Sequence, residues 1–89
     1  MSTVFLALQV NEETRPIIEA ILADNPHAVV TESPAMIKID AEKTLVIRRI
    51  SIEDRTGGTF DLQQIHVNLI SLSGNVDETD DSLTLSWHH

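Results

Sequence analysis

The acidic segment near the carboxyl end contains the residue types that come closest to a ligand-binding motif. Asp77, Thr79 and Asp81 match the first alternating ligand positions of a calcium-binding loop, whose side-chain oxygens surround the ion. The match ends there, because Ser82 stands at the position of the sharp-turn glycine and His88 at that of the bidentate acid. The sequence therefore favours a solvated acidic loop over a calcium site.

The remaining reactive side chains lack the neighbours that catalysis or metal binding requires. Asp40 and Glu42 have the types of an acid and base pair, but they lie in a predicted exposed turn without a pocket-forming sequence. His27 and His66 are too far apart in sequence to form a local metal motif. Gly57-Gly58 lacks the lysine and the spacing of a phosphate-binding loop. We therefore expect no catalytic residue, cofactor or metal.

Composition restricts the class of protein further. A chain of 89 residues is expected to form one domain, residues 1–89, since it is too short to divide its buried surface between two cores. The net charge of −8 disfavours nucleic acid and anionic membranes and favours a partner with a basic surface. No cysteine is present, which suits a reducing cytoplasm. The apolar run near the amino terminus is too short for a signal peptide or a membrane span.

The elements expected to carry these residues begin with a strand and a helix. Residues 4–10 form a strand that is apolar on nearly both faces and is therefore central in its sheet. Thr14 is the expected N-cap of a helix, and Pro16 suits its first turn. The helix has one apolar stripe, formed by Ile17, Ile18, Ile21 and Leu22. Because short loops join these elements to the next strand, we expect the first two strands to be parallel and linked by a right-handed crossover.

The centre of the chain, residues 27–50, contains three short runs of β-forming residues. The middle run alternates between two faces, with Ala35, Ile37, Ile39 and Ala41 on one and Met36, Lys38 and Asp40 on the other. The first face is dry and requires a helix to cover it. Arg48 and Arg49 are adjacent, so strand geometry would send them to opposite faces.

The last third predicts two short helices, two strands and a polar loop. The first helix is expected to begin with Ser51 as its cap and to end at Gly57-Gly58. Asp61 is the expected cap of the second, from Leu62 to about His66. Strands over 67–72 and 83–87 then flank the loop over 77–81. The whole pattern predicts an α+β fold in the order βαβββ, short helices, ββ, with the sheet covered by helices.

Short polar side chains interrupt the apolar pattern near the last turn, at Asn68, Ser71, Ser73 and Asn75. Such a run is typical of a wet binding surface. It is equally typical of a turn-rich segment, and composition alone does not decide between the two.

Several segments together resemble a known family. They are residues 14–21, Asp24-Asn25-Pro26, residues 34–42, residues 60–63 and residues 66–78, the last being the longest and most specific. These segments closely resemble the regulatory component of multicomponent phenol hydroxylases, a family that includes the coupling proteins of the soluble methane and toluene monooxygenases. Residues 56–59 depart from the pattern, because Gly57-Gly58 replaces a glycine-basic pair. The lack of a long tail before the first strand favours the phenol branch.

The resemblance implies a cofactor-free effector that binds a diiron hydroxylase and stimulates NADH-dependent hydroxylation of phenol or related aromatics. A separate flavin and iron–sulfur reductase would supply the electrons and would compete for an overlapping surface. The resemblance also implies a tendency to form homodimers. The docking residues that it implies are Asn25, Ser33, Met36, Asn68, Ser71, Ser73, Asn75, Asp77 and Glu78.

Two other classes of function remain open from the sequence. A non-catalytic assembly or structural subunit would bind the same kind of partner without altering its catalysis. A small hydrolase is the third alternative and would show activity alone. An effector, by contrast, would change the turnover of a hydroxylase that is already assembled.

Overall fold

The structure is a computed structural model that describes residues 3–87. His88, which entered the calcium comparison, lies outside the described residues. The strands are β1 Thr3–Gln9, β2 Val29–Glu32, β3 Met36–Glu42, β4 Thr44–Arg48, β5 Leu69–Ser73, β6 Asn75–Glu78 and β7 Ser82–Ser86. The helices are α1 Arg15–Asp24, α2 Arg49–Thr56 and a 3₁₀ helix, Leu62–Val67. This composition confirms the predicted α+β class.

The strands form two antiparallel sheets rather than the one sheet that the sequence suggested. Sheet A has the order β2-β3-β1-β5 and sheet B the order β4-β7-β6. The described chain ends with three strands where two were predicted, because Asn75–Glu78 forms β6. The acidic loop expected over 77–81 is therefore shorter, and Asp77 and Glu78 belong to a strand. Cross-strand pairing with β7 stabilises this strand although its residues have low intrinsic β propensity.

The first two strands run in the same direction, as predicted, but they are not neighbours in the sheet. β3 pairs antiparallel with both β1 and β2, so that it lies between them. β1 and β2 consequently run in the same direction without being neighbours. The short turn between β2 and β3 favours the antiparallel pairing of these two strands. Closing a short loop costs less conformational entropy than pairing β2 with a strand that is distant in sequence.

The two sheets and α1 enclose one hydrophobic core. Strand β1 contributes Val4, Leu6 and Leu8, and β3 contributes Ile37, Ile39 and Ala41, as the alternation predicted. Sheet B adds Leu45, Ile47, Leu83 and Leu85, and α1 adds Ile17, Ile18, Ala20 and Ile21. Helix α1 packs against β4 and α2. The dry face of sheet A is therefore covered by sheet B as well as by helix.

The start of α1 differs from the prediction. Thr14 occupies the N-cap position, but its side chain makes no capping hydrogen bond to the helix. Its hydroxyl instead accepts from the Asn11 backbone N–H at 3.0 Å, and the Thr14 backbone N–H donates to Asn11 Oδ1 at 3.0 Å. Asn11 and Thr14 thus form a reciprocal turn that directs the chain into α1.

The two later helices agree with the prediction at three of their four ends. Gly57 ends α2 in the left-handed region, at φ 77°, and Asp61 Oδ1 caps the 3₁₀ helix by accepting from the Gln63 N–H at 3.0 Å. The start of α2 lies at Arg49 rather than at Ser51. Arg48 ends β4 and Arg49 begins α2, so the expectation of two arginines on opposite faces of one strand is wrong.

Gly74 connects the two sheets. It lies between β5 in sheet A and β6 in sheet B, at φ 129°, a backbone conformation that favours glycine. A Cβ atom at this position would lie 2.8 Å from Val4 Cγ1 in the core. A glycine is therefore required for the close passage that places Ser73 and Asn75 on neighbouring sheets.

Candidate docking surface

Sheet A presents a mixed polar and apolar face on the side opposite the core, which we call the outer face. Cross-strand partners place their side chains on the same side of a sheet, so the register defines this face. It consists of Phe5, Ala7, Gln9, Val29, Thr31, Met36, Lys38, Asp40, Ser71 and Ser73. All of these residues except Ala7 are exposed or half-buried. The outer face is thus a broad surface, spanning four strands, that a partner protein can contact.

A lysine lies at the centre of the outer face. The Lys38 ammonium Nζ is 4.5 Å from the centre of the Phe5 ring and 3.5 Å from Asp40 Oδ1. These contacts hold the stem of the lysine against the sheet, and an exposed pair of this kind contributes little to stability. Lys38 therefore gives the surface a positively charged centre within a strongly acidic protein.

Three of the predicted docking residues share this outer face. Met36 is paired with Gln9 at one end of β3, Ser71 lies opposite Ala7, and Ser73 lies opposite Phe5. Their small or flexible side chains leave the centre of the face accessible. The pairing of strands distant in sequence brings them together.

Ser33 lies beside this face, in the turn between β2 and β3. Its hydroxyl donates to the Met36 carbonyl at 3.1 Å. Ser33 also lines a cavity of about 300 Å³ whose other walls include the apolar side chains of Val10, Ile18 and Ile37. The volume of this cavity is at the lower end of the range typical of small-ligand sites. It is large enough to accept one apolar side chain of a partner.

The other predicted residues at the carboxyl end lie on β6 in sheet B. Asn75 and Asp77 are exposed and face the same side as Ser86 and Thr84 of β7, respectively. Glu78 is half-buried, and its Oε1 lies 3.0 Å from His66 Nε2 at the end of the 3₁₀ helix. Gly74 joins this strand directly to β5, so that the docking candidates on β5 and β6 belong to one continuous segment of the chain.

Asn25 does not lie on the surface, which corrects the implied docking set. It is only 2% exposed. Its Nδ2 donates to the Ile21 and Val46 carbonyls, each at 2.7 Å, and its Oδ1 accepts from the Val46 N–H at 3.0 Å. The side-chain amide thereby pairs with the free edge of β4 as a neighbouring strand would. Asn25 stabilises the fold and is not available to a partner.

Asn68 is likewise buried, at 5% exposed, and is the second correction. Its Oδ1 accepts from Asn11 Nδ2 at 2.9 Å, and its carbonyl accepts from the Gln9 N–H at 2.9 Å. These contacts join the start of β5 to the turn that precedes α1. The polar run from Asn68 to Asn75 thus contains one buried residue, Asn68, while Ser71, Ser73 and Asn75 are exposed or half-buried.

A larger cleft of about 940 Å³ separates the segment 59–64 from the turn between β6 and β7. Arg49 lies in its wall, where Nη2 donates to Asp81 Oδ1 at 2.8 Å and Nη1 lies 3.9 Å from Glu53 Oε2. Asp61, Glu78 and Asp80 also line the cleft. Acidic side chains therefore outnumber the one basic side chain in its lining.

The part of the chain that the structure describes offers no arrangement suited to a metal. Within residues 3–87, no group of three or more histidine, aspartate or glutamate side chains is placed to hold an ion. None of the helices in that range is long and apolar enough to cross a membrane.

Phe5, Gln9 and Lys38 lie on the outer face but are absent from the docking residues that the family resemblance implies. The alternation in β3 placed Lys38 on the same face as Met36, so a signal for the lysine was present. Phe5 and Gln9 required the register of β1 against β3 and β5, which a single sequence does not contain.

Comparison with known proteins decides the family. A model of the MmoB/DmpM family matches residues 2–86. The chain belongs to the MmoB/DmpM family. A family relative, the phenol 2-monooxygenase stimulatory component DmpM of Pseudomonas sp. strain CF600, is 50% identical over 97% of this chain and 96% of its own length.

Solved structures agree with this membership. A chain in a structure of a phenol hydroxylase–regulatory protein complex is 45% identical, with a TM-score of 0.92 over 97% of this chain and 99% of that chain. The soluble methane monooxygenase regulatory protein B shares the fold, with a TM-score of 0.76 at 23% identity over 97% of this chain and 65% of that chain. The family resemblance inferred from the sequence is thus confirmed.

Proposed function

We propose that this protein is a non-catalytic regulatory component that docks on the diiron hydroxylase of a phenol hydroxylase and stimulates its turnover. The observation that carries the proposal is the 50% identity, over nearly the full length of both chains, to a stimulatory component of phenol 2-monooxygenase. The similarity at a TM-score of 0.92 to a chain in a phenol hydroxylase–regulatory protein complex supports the same partner.

A regulator of this kind acts through differential affinity. It shifts the hydroxylase toward a more active state only to the extent that it binds that state more tightly than the others. Such a protein needs a shaped surface and no cofactor of its own. The separate reductase would deliver the electrons that NADH supplies, and the substrate would be phenol or a related aromatic.

The outer face of sheet A and the adjoining segment of β6 form the docking surface in this proposal. The exposed and half-buried residues that carry it are Ser33, Met36, Ser71, Ser73, Asn75, Asp77 and Glu78, together with Lys38. Continuity of the chain supports this choice, since Gly74 joins β5 directly to β6. Residues 1–89 would act as one domain in a reducing cytoplasm, in agreement with the absence of cysteine.

Two further expectations belong to the same proposal. The reductase would compete with this protein where their surfaces on the hydroxylase overlap, so a large excess of regulator would inhibit turnover. A homodimer that used the outer face would have to dissociate before docking. Competition predicts a maximum in activity at an intermediate concentration of regulator, whereas dimerisation would raise the concentration needed for half-maximal stimulation.

A pair of matched substitutions tests the docking surface. Ser71→Arg places a long cation on the outer face in the same cross-strand row as Lys38, on the other side of Ala7. Ala23→Arg places the same side chain on the exposed side of α1. Each exposed change should alter the free energy of unfolding by no more than about 0.5 kcal/mol. The concentration of regulator that gives half-maximal phenol hydroxylation should rise about tenfold for Ser71→Arg, equivalent to about 1.4 kcal/mol of binding, and stay unchanged for Ala23→Arg.

The hydroxylase in this assay must have its full iron content. Stimulation that occurs only when the hydroxylase is assembled or loaded with iron in the presence of this protein would identify an assembly subunit. Equal loss of stimulation in both variants would contradict the proposed surface.

A further inference from the structure

The two edges of sheet B differ in how their backbone groups are satisfied. The Thr79 N–H donates to the Ser82 carbonyl at 2.8 Å, which fixes the hydrogen-bonded pairs between β6 and β7. Because these pairs alternate along an antiparallel ladder, the backbone groups of Asn75 and Asp77 point toward β7. Those of Val76 and Glu78 point away from β7, toward the free edge of the sheet.

The opposite edge, on β4, is closed by side chains. Asn25 pairs with both the N–H and the carbonyl of Val46, and His27 Nε2 lies 3.1 Å from the Thr44 carbonyl. Thr44 and Val46 are two of the three β4 residues whose backbone groups the ladder with β7 leaves free, the third being Arg48 at the end of the strand. Proteins commonly cover a sheet edge in this way to prevent unwanted strand pairing.

The β6 edge has no such cover among residues 3–87. The register turns the backbone N–H and carbonyl groups of Val76 and Glu78 away from β7, and no turn or loop backbone group within residues 3–87 bonds to them. The Val76 side chain is 45% exposed, although its neighbours across the sheet, Leu85 and then Leu45, are fully buried. The His66 ring contacts the Glu78 carboxylate and not its backbone. The edge therefore offers unpaired donors and acceptors beside an exposed apolar side chain.

The charges beside this edge indicate what it can accept. Asp77 and Asp80 are exposed and make no salt bridge within the described part of the chain. The acidic cleft of about 940 Å³ begins at the same end of β6. Two copies of this edge would bring like charges together, which disfavours self-pairing, whereas a basic segment would be attracted.

We propose that the free edge of β6 pairs with an extended, basic segment of the hydroxylase, which adds to sheet B as a fourth strand. The inference rests on the proposed function and specifies how one part of the partner is recognised. Backbone hydrogen bonds to Val76 and Glu78 would provide affinity, as in other cases of strand addition. Basic side chains next to Asp77 and Asp80 would set the register and the rate of association.

Amide hydrogen exchange resolved by residue tests this pairing without any substitution. In the free protein, the Val76 and Glu78 amides should exchange rapidly, while the Asp77 amide should be protected by β7. Saturation with purified, iron-loaded hydroxylase should slow exchange at Val76 and Glu78 by at least about tenfold, as expected when an exposed amide joins a ladder. The Asp77 amide serves as the internal control.

The possible outcomes separate the two proposals. Binding and stimulation without protection of Val76 and Glu78 would overturn the strand pairing and leave the regulatory function intact. If the Val76 and Glu78 amides become protected as the concentration of this protein alone is raised, the edge pairs with a second copy of the chain. That result would also overturn the inference. Absence of both binding and stimulation would overturn both proposals.

A substitution supplies a second, independent readout. Val76→Pro removes an N–H that points to the free edge and not to β7, so the ladder with β7 is retained, and proline is tolerated on edge strands. Val76→Thr keeps the N–H and is the matched control. Val76→Pro should raise the half-maximal concentration for stimulation about tenfold relative to Val76→Thr. Equal values for two folded variants would refute the pairing, and if Val76→Pro does not fold, the exchange measurement decides.

Discussion

Replacing Asn25 by alanine should destabilise the protein strongly, although a docking role had been implied for this residue. The substitution removes three side-chain hydrogen bonds, to the Ile21 carbonyl and to both backbone groups of Val46. At about 0.5–1.5 kcal/mol of net stability for each bond, the free energy of unfolding should fall by about 1.5–4.5 kcal/mol. Against a total of about 5–15 kcal/mol for an ordinary domain, this is a large fraction.

Urea denaturation of Asn25→Ala and Asn75→Ala measures the difference. Asn75 is exposed and its side chain makes no recorded hydrogen bond in the described structure, so the same chemical change there should cost no more than about 0.5 kcal/mol. Under conditions in which Asn25→Ala is folded, it should still stimulate the hydroxylase fully at saturation. Asn75→Ala should weaken stimulation while leaving stability unchanged.

Two results would refute this reasoning about Asn25. One is a midpoint of denaturation that differs little between Asn25→Ala and the unsubstituted protein. The other is a folded Asn25→Ala variant that no longer stimulates at any concentration, which would place Asn25 in the docking surface.

The Asn25→Ala variant should also self-associate more readily, because the substitution uncovers the edge of β4.

Three further outcomes are expected. Leu85→Ala truncates a fully buried side chain and should lower the free energy of unfolding by about 2–5 kcal/mol, so a small shift in denaturation midpoint would show that the core is misassigned. Gly74→Ala places a Cβ 2.8 Å from Val4 Cγ1 at φ 129°, and thermal unfolding should report a loss of about 1–3 kcal/mol. Removal of the charges of Asp77 and Asp80 by amide substitution should slow association with the hydroxylase more than it speeds dissociation, and added salt should have the same effect in stopped-flow measurements. An association rate that does not depend on ionic strength would contradict this last expectation.

The features that the sequence predicted correctly depend on local patterns. The alternation in β3 assigned Ile37 and Ile39 to the core, because the two-residue period of a strand is visible in the sequence itself. Asp61 was identified as a helix cap and Gly57 as a helix end for similar reasons, since each acts within a few residues of its own position. The family was recognised from longer contiguous segments, and the match over residues 2–86 confirms it.

The features that the sequence did not predict depend on contacts between distant residues. Strand β6 has little intrinsic β propensity and is formed by pairing with β7. The burial of Asn25 results from its contact with Val46, 21 residues away, and that of Asn68 from its contact with Asn11, 57 residues away. Composition could not separate these two buried amides from the exposed Asn75. The sequence pattern therefore did not separate the buried members of the implied docking set from its exposed members.

The yield of hydroxylated product per NADH consumed tests the central claim most directly. The assay contains hydroxylase with its full iron content, reductase, NADH and phenol, with and without this protein. A regulator that docks on the hydroxylase predicts a saturable increase in both the rate of product formation and the product formed per NADH. If neither quantity changes at any concentration of the protein, the proposed regulatory function is contradicted.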